Sequence, residues 1–187
     1  MKRLFVIGFL MSSLLSLCGA QPKMRDIFLQ MPDSMLPYLT ENNKLDFIDF
    51  IDSNMDAVVT NELGGKSQML ELSDKHLTLK VSASKTIKMH LMPVNEPVDS
   101  CNQVICMLTT YGQDIKESKL EVFSVHWRPL DAERYVDIPR QPYVIRWFDN
   151  HPTDFYPVNV KELGEIEEVS NEPKEDNQFL KCVHWKP

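Results

Sequence analysis

The chain has 187 residues, 43% of them hydrophobic, and 27 acidic against 20 basic side chains give it a formal charge of −7. That is the composition of a soluble globular domain with one substantial core. The negative balance argues against partners that are themselves anionic, such as nucleic-acid backbones and acidic lipid surfaces.

Met1, Lys2 and Arg3 form a short positive region ahead of residues 4–17, fourteen residues without a charge. This is the pattern of a secretory signal peptide. A membrane-spanning helix needs roughly 20 apolar residues, and this run is shorter and interrupted by Gly8, Ser12, Ser13 and Ser16, so no retained span is expected. Cys18-Gly19-Ala20 places small side chains three and one positions before a cut after Ala20, which makes Gln21 the mature N-terminus. In the rival arrangement Cys18 is acylated and kept as a lipid anchor; Leu17 disfavours it, because lipoprotein processing prefers Gly, Ala or Ser before the cysteine. Cleavage leaves 167 residues, 21–187, the size of one domain. Loss of Lys2 and Arg3 moves the formal charge to −9.

Residues 24–57 read as helical. A short helix is expected over 24–31, broken by Pro32-Asp33-Ser34. The clearest helix follows: Leu45, Phe47, Ile48, Phe50, Ile51 and Met55 form an apolar stripe at three- and four-residue spacing, with Asn42 or Asn43 as cap and Asp46, Asp49, Asp52 and Asp56 on the solvent face. From residue 66 to 187 the chain is β-rich and the period changes to two. Leu77, Leu79 and Val81, then Ile87, Met89 and Leu91, mark two antiparallel strands, with an upstream strand near 69–72. Residues 93–100 carry two prolines and read as a connector; 104–111, apolar on both faces, reads as a central strand. Further strands are expected at 120–127, 143–148 and 179–185, with an irregular stretch at 129–142 and an acidic surface loop at 161–176. The fold class is therefore α+β, N-terminal helices packed on a mainly antiparallel sheet of about six or seven strands that could curl into a half-barrel.

Three cysteines follow the signal peptide: Cys101, Cys106 and Cys182. Cys101 and Cys106 on one extended strand would sit roughly 16 Å apart, too far to bridge. A disulfide would need Cys182 or a bend; equally, all three suit small buried positions.

Candidate chemistry is sparse. Gly64-Gly65-Lys66-Ser67 looks like the end of a phosphate-binding loop, but Thr60 stands where the motif needs a glycine, and a strand follows instead of a helix. The aspartates at 46, 49 and 52 run along a helix instead of wrapping a calcium ion. Cys182, His184 and His126 could in principle serve a metal or thiol site, yet no paired zinc-ligand spacing is present, so neither metal nor cofactor is expected. A five-residue echo, Val125-His126-Trp127-Arg128-Pro129 and Val183-His184-Trp185-Lys186-Pro187, reads as a shared strand-end device: Trp anchors the core, His points away, and Pro ends the strand. Aromatic residues are concentrated in the C-terminal part, and Trp147 beside Arg146 is the least core-like of them. Arg146, Trp147, His126 and His184 are the binding candidates.

Arg25-Asp26-Ile27-Phe28, Met31-Pro32-Asp33-Ser34, Leu36-Pro37-Tyr38-Leu39-Thr40-Glu41-Asn42, Leu45-Asp46-Phe47-Ile48-Asp49, Leu63-Gly64-Gly65 and Pro97-Val98-Asp99-Ser100-Cys101 resemble the domain-of-unknown-function family 3256. The likeness runs to about Trp127 and weakens beyond. It implies a small exported protein of gut-associated Bacteroidales, periplasmic or at the outer membrane, and assigns no activity and no functional residue. With no catalytic motif in the chain, the expected role is a non-enzymatic envelope module for a peptide, protein or glycan. The alternatives are a hydrolytic enzyme built from scattered carboxylates and histidines, and a structural envelope component.

Overall fold

The computed structural model describes residues 21–113, 117–136, 138, 143–147, 154–159 and 183–186, of which 143–147, 154–159 and 183–184 by backbone only. Residues 1–20 with Cys18, the acidic stretch 161–176 and Cys182 lie outside them.

Two helices open the described chain, α1 (Met24–Leu29) and α2 (Glu41–Asp52), separated by a short 3-10 turn at Asp33–Met35. Thr40, not Asn42 or Asn43, caps α2. Its hydroxyl accepts from Asn43 N at 3.1 Å while the Asn43 side chain accepts from Thr40 N at 3.1 Å, so the two residues satisfy one another's backbone donors across the first turn. Asp46, Asp49, Asp52 and Asp56 face solvent as expected, with Asp52 taking a forked pair of hydrogen bonds from Arg25. The apolar stripe is narrower than its sequence pattern. Lys44, Phe47 and Ile48 are buried, whereas Leu45 is exposed on the far side and Met55 lies past the end of the helix. Lys44 is tolerated inside because its ammonium is paired: it donates to Met31 O at 2.8 Å and Asp33 Oδ1 at 2.9 Å, tying the 3-10 turn to α2.

The remainder is β-structure. Strands β1 (Val58–Thr60), β2 (Lys66–Leu72), β3 (His76–Ser82), β4 (Lys85–Val98), β5 (Cys101–Tyr111), β6 (Glu117–Ser124) and β7 (Pro129–Leu130) form an antiparallel meander in sequence order. The sheet is open, not closed into a barrel. Strands β8 (Tyr143–Trp147), β9 (Asp154–Asn159) and β10 (Val183–His184) make a separate three-stranded sheet with β9 in the middle. Thus the described parts of the two expected C-terminal strands, 143–147 and 183–184, pair in this second sheet instead of the main one, and 154–159 is a strand that the alternation did not show.

Alternation puts the two faces of the main sheet to different uses. Leu77, Leu79, Val81, Ile87, Met89, Leu91, Ile105, Met107 and Phe123 point to the helices and join Met24, Phe28, Phe47 and Ile48 in the main core. On the opposite face Met92, Val94, Val104, Cys106, Leu108, Leu120 and Val122 form a second core, roofed by Tyr135, Val136 and Trp185. Cys101 and Cys106, an odd number apart on β5, fall on opposite faces and are free thiols.

Residues 93–97 are not a connector. β4 continues to Val98, and its prolines are tolerated because β3 ends at His76, opposite His90, so β4 beyond that point has no β3 ladder to break. Gly64 and Gly65 belong to the β1–β2 hairpin, and Gly64 takes φ 77°. Asn61 builds that turn: Oδ1 accepts from Leu63 N at 3.1 Å and Gly65 N at 3.0 Å, and Nδ2 donates to Ser67 Oγ at 3.1 Å, which in turn donates to Val81 O at 2.6 Å. Asn61→Ala removes both acceptor bonds and should lower stability by about 2 kcal/mol, read as a drop in urea midpoint with unchanged slope. Asn61→Asp keeps the acceptor and should recover part of the loss.

His90, on the second face of β4, stacks on His76 of β3 with ring centroids 5.4 Å apart. Burial, then the nearby His76 and Lys88, push its imidazole down to about 3 from 6.5. The folded state therefore disfavours the proton that the unfolded chain accepts, and His90 makes no demand on stability above pH 6.5. As pH falls from 6.5 towards 3 stability should decline, by up to about 1.4 kcal/mol per pH unit from this group. His90→Gln should flatten the difference in unfolding free energy between pH 7.5 and 4.5; an identical pH slope in both proteins would refute the assignment.

Candidate functional site

Two tight turns meet at one end of the main sheet. Between β4 and β5, Val98 pairs with Cys101, leaving Asp99 and Ser100 as a two-residue turn with φ 50° and 64°, the left-handed pair a type I′ hairpin requires. After β6 the chain reverses at once. Ser124 N donates to Arg128 O at 2.9 Å, Ser124 Oγ accepts from His126 N and Arg128 N, and Trp127 takes φ 62°. Of the four described non-glycine residues with left-handed φ, three lie at this corner. A left-handed backbone on a residue as bulky as Trp costs of order 1–3 kcal/mol unless its surroundings fix it. Here they do: the Trp127 indole packs against Phe123 and donates to Ile27 O at 3.0 Å.

Arg128 locks the two turns together, donating Nη2 to Asp99 Oδ1 at 2.7 Å and Nε to Oδ2 at 3.4 Å. Hydrogen bonds from Arg128 and then Ser124 hold the Asp99 carboxyl below the usual carboxylate range, and Asp99 raises Arg128 in return. Beside this pair opens a groove of about 490 Å³, lined by the run Val94, Asn95, Glu96, Pro97, Val98 and Asp99 and by Arg128, Leu130, Arg134, Tyr135 and Lys186. Its wall is made by the return of the C-terminal segment. Val136 bridges Trp185, Lys186 N donates to Tyr135 O at 2.7 Å, the Tyr135 and Trp185 rings stack at 5.4 Å, and Trp185 Nε1 donates to Pro93 O at 2.9 Å. The 129–142 stretch, read as irregular, thus contributes β7, a 3-10 turn at Ala132–Arg134 and three lining residues of the groove, Leu130, Arg134 and Tyr135.

Of the four sequence candidates, His126 is exposed on the turn beside Asp99. Arg146 and Trp147 lie on β8, opposite Tyr156 and Phe155, and His184 on β10, opposite Asp154; their side chains are outside the described residues. Arg128, Arg134, Tyr135 and Lys186 were not candidates. One signal for two of them was present in the echo: its two tryptophans anchor opposite faces of the sheet, in the main and second cores, and the basic residue after each lines the same groove. The first copy turns instead of extending, and Pro129 begins β7 instead of ending a strand, but Val125 and Trp127 are buried and His126 exposed as the echo implied.

A Ser-His-Glu chain also occurs, at the β2–β3 turn. Ser73 Oγ lies 2.7 Å from His76 Nδ1, and His76 Nε2 lies 2.6 Å from Glu71 Oε1. Ser73 Oγ also accepts from Lys75 N and His76 N and lies 3.5 Å from His76 O, so the hydroxyl is built into the turn. This arrangement fixes a hairpin; it does not present a nucleophile. Among the described residues no three His, Cys, Asp or Glu side chains are grouped to hold a metal, and no helix is long and apolar enough to cross a membrane.

The model of the family described as a protein of unknown function, DUF3256, matches residues 17–183. The chain belongs to this family. The DUF3256 match runs well past Trp127, so the likeness is not confined to the N-terminal part; it takes in Arg128, Arg134 and Tyr135 and stops just short of Lys186. A comparison with curated proteins finds no match. In structure, this DUF3256 chain is similar to a domain of an uncharacterized protein from Porphyromonas gingivalis W83, with a TM-score of 0.53 and 24% identity. The likeness covers 65% of this chain and 60% of that one, and it shows a shared fold.

Proposed function

We propose that this DUF3256 protein is an exported envelope protein that works by binding a peptide, protein or glycan, with the groove between residues 94–99 and 128–135 as its ligand site. The observation that carries this reading is the groove itself, a hollow of about 490 Å³ with the Arg128–Asp99 pair, 2.7 Å apart, in its lining. Side chains held in one geometry by each other and by tight turns are suited to positioning a ligand. The groove volume falls in the range of roughly 300–1,000 Å³ typical of ligand sites. Export rests on the charged start, the uncharged run and the small residues before Gln21.

Two measurements test the reading. Intact mass of the protein from the cell envelope should correspond to a chain beginning at Gln21; a full-length mass would overturn export, and a diacylglyceryl Cys18 would overturn free diffusion. Incubation with mixed peptide and oligosaccharide pools should give binding at the groove with ligand masses unchanged. Product masses that disappear in Asp99→Asn would support the hydrolytic alternative instead.

A further inference from the structure

The two sides of the main sheet are charged oppositely. On the helix side, residues 21–57 hold seven acidic side chains against three basic, and Asp46, Asp49, Asp52 and Asp56 face solvent. On the other side of β2, β3 and β4 the balance reverses. Leu79, Val81, Ile87 and Met89 point to the helices, so Thr78, Lys80, Thr86 and Lys88, which alternate with them, point away. Tyr135, Val136 and Trp185 roof this second face where it is apolar; in its polar β2–β4 half the side chains stay exposed or half-buried.

The ladder registers set the lysines of this half in a row. Gln68 lies opposite Lys80, Lys80 opposite Thr86, and Thr78 opposite Lys88. Lys66, Lys80 and Lys88 are therefore successive diagonal neighbours across β2, β3 and β4, and such neighbours stand about 7–8 Å apart. The Lys66 ammonium donates to the neutral Thr60 Oγ1 at 3.0 Å. Among the described residues the ammonium groups of Lys80 and Lys88 have no hydrogen-bond or ion-pair partner. Glu71, the one carboxylate on this half of the face, is taken by His76 Nε2 at 2.6 Å.

The chain as a whole carries −7, but the acidic solvent face of the helices lies beyond the sheet and a helix diameter of roughly 10 Å. At physiological salt the Debye length is about 8 Å, so the lysine row acts on a partner as a local positive surface. Between the lysines stand Gln68, Thr78 and Thr86, an amide and two hydroxyls. A protein interface is centred on apolar and aromatic side chains, and a lipid surface takes apolar groups beside the charge. Cations interleaved with hydroxyl and amide groups match a sugar chain that bears carboxylates or sulfates with hydroxyls between them.

We propose that this face docks a linear acidic glycan, with its anionic groups on Lys66, Lys80 and Lys88 and its hydroxyls on Gln68, Thr78 and Thr86. The surface shares no residue with the groove and does not depend on it.

The experiment titrates the full exported chain, isotope-labelled, with an oligogalacturonate, a sulfated oligosaccharide, a neutral chito-oligosaccharide, an oligoglutamate and phosphatidylglycerol vesicles. At least one of the two acidic sugars should shift the backbone amides of Lys80 and Lys88, and its affinity should fall at least about fivefold as salt rises from about 50 to about 300 mM. Lys80→Gln combined with Lys88→Gln should weaken that binding by about five- to tenfold at an unchanged melting temperature, and Lys80→Arg combined with Lys88→Arg should retain it. Equal binding of the neutral sugar would overturn the role of charge. Tighter binding of oligoglutamate or of vesicles than of either acidic sugar would overturn the glycan as occupant. Binding seen only after the acidic residues of 161–176 are replaced by their amides would assign the face to this chain's own acidic stretch, and overturn the glycan too. Absence of any shift on β2 to β4 with all five probes would overturn the surface itself.

Discussion

Trp127→Ala should destabilise the protein by about 3–5 kcal/mol, lowering the melting temperature by roughly 6–20 °C. Three losses act together. The indole is buried in the main core against Phe123, so truncation leaves a cavity where the end of the sheet meets the helices. Ile27 O, a carbonyl of the last turn of α1, loses the donor that satisfies it. The left-handed backbone at residue 127 also loses the packing that fixes it, and the turn carrying Arg128 loosens with it. Trp127→Phe separates these terms: it keeps most of the ring volume and removes the N–H, and should cost about 1–2 kcal/mol. Urea unfolding of the three proteins measures both steps. A Trp127→Ala protein as stable as wild type would mean that α1 is held without this anchor.

Trp185→Ala should have a comparable cost, about 3–5 kcal/mol, with a different signature. Trp185 packs over the second core with Tyr135 and Val136, beneath which Cys106 is fully buried; burial pushes the Cys106 thiol up, away from the reactive thiolate. Opening that roof should let Cys106 react with an alkylating reagent under native conditions, detected by mass spectrometry of the peptide containing it, while Cys101, on the other face, keeps its wild-type rate. The same change releases Pro93 O and the strand that presents Lys186. Any ligand binding measured in the groove should therefore fall with stability in Trp185→Ala, but not in Trp127→Phe. Labelling of Cys106 at the wild-type rate in Trp185→Ala would show that other residues cover the second core.

Most of the main sheet was legible because a strand with one face on a core must alternate. Leu77 to Val81 and Ile87 to Leu91 do so cleanly, and 104–111, apolar on both sides, announced a central strand that proves to serve two cores. Errors fell where a neighbour mattered more than the local pattern. The prolines at 93 and 97 read as a connector, yet they are tolerated in a strand whose β3 partner has stopped. Asn43 looked like a cap and is the third helical residue, closing a capping box begun at Thr40. Leu45 fitted the helical stripe but lies outside the sector that meets the sheet. The electrostatic role of Arg128 and the company it keeps with Lys186 were hidden for the same reason, although the repeated Val-His-Trp-basic-Pro words marked both places.

The sequence by itself determined the α+β class, the helix-to-sheet order, the alternation that selects each buried face, and membership of the family whose motifs it carries, because each of these is written in neighbouring residues. Tertiary structure alone decided that the sheet stays open, that the C-terminal strands form a second sheet, and that residues 94–99, 128–135 and 186 converge on one groove. Those outcomes depend on contacts between segments up to 92 residues apart, such as Trp185 on Pro93, whose geometry no local periodicity encodes.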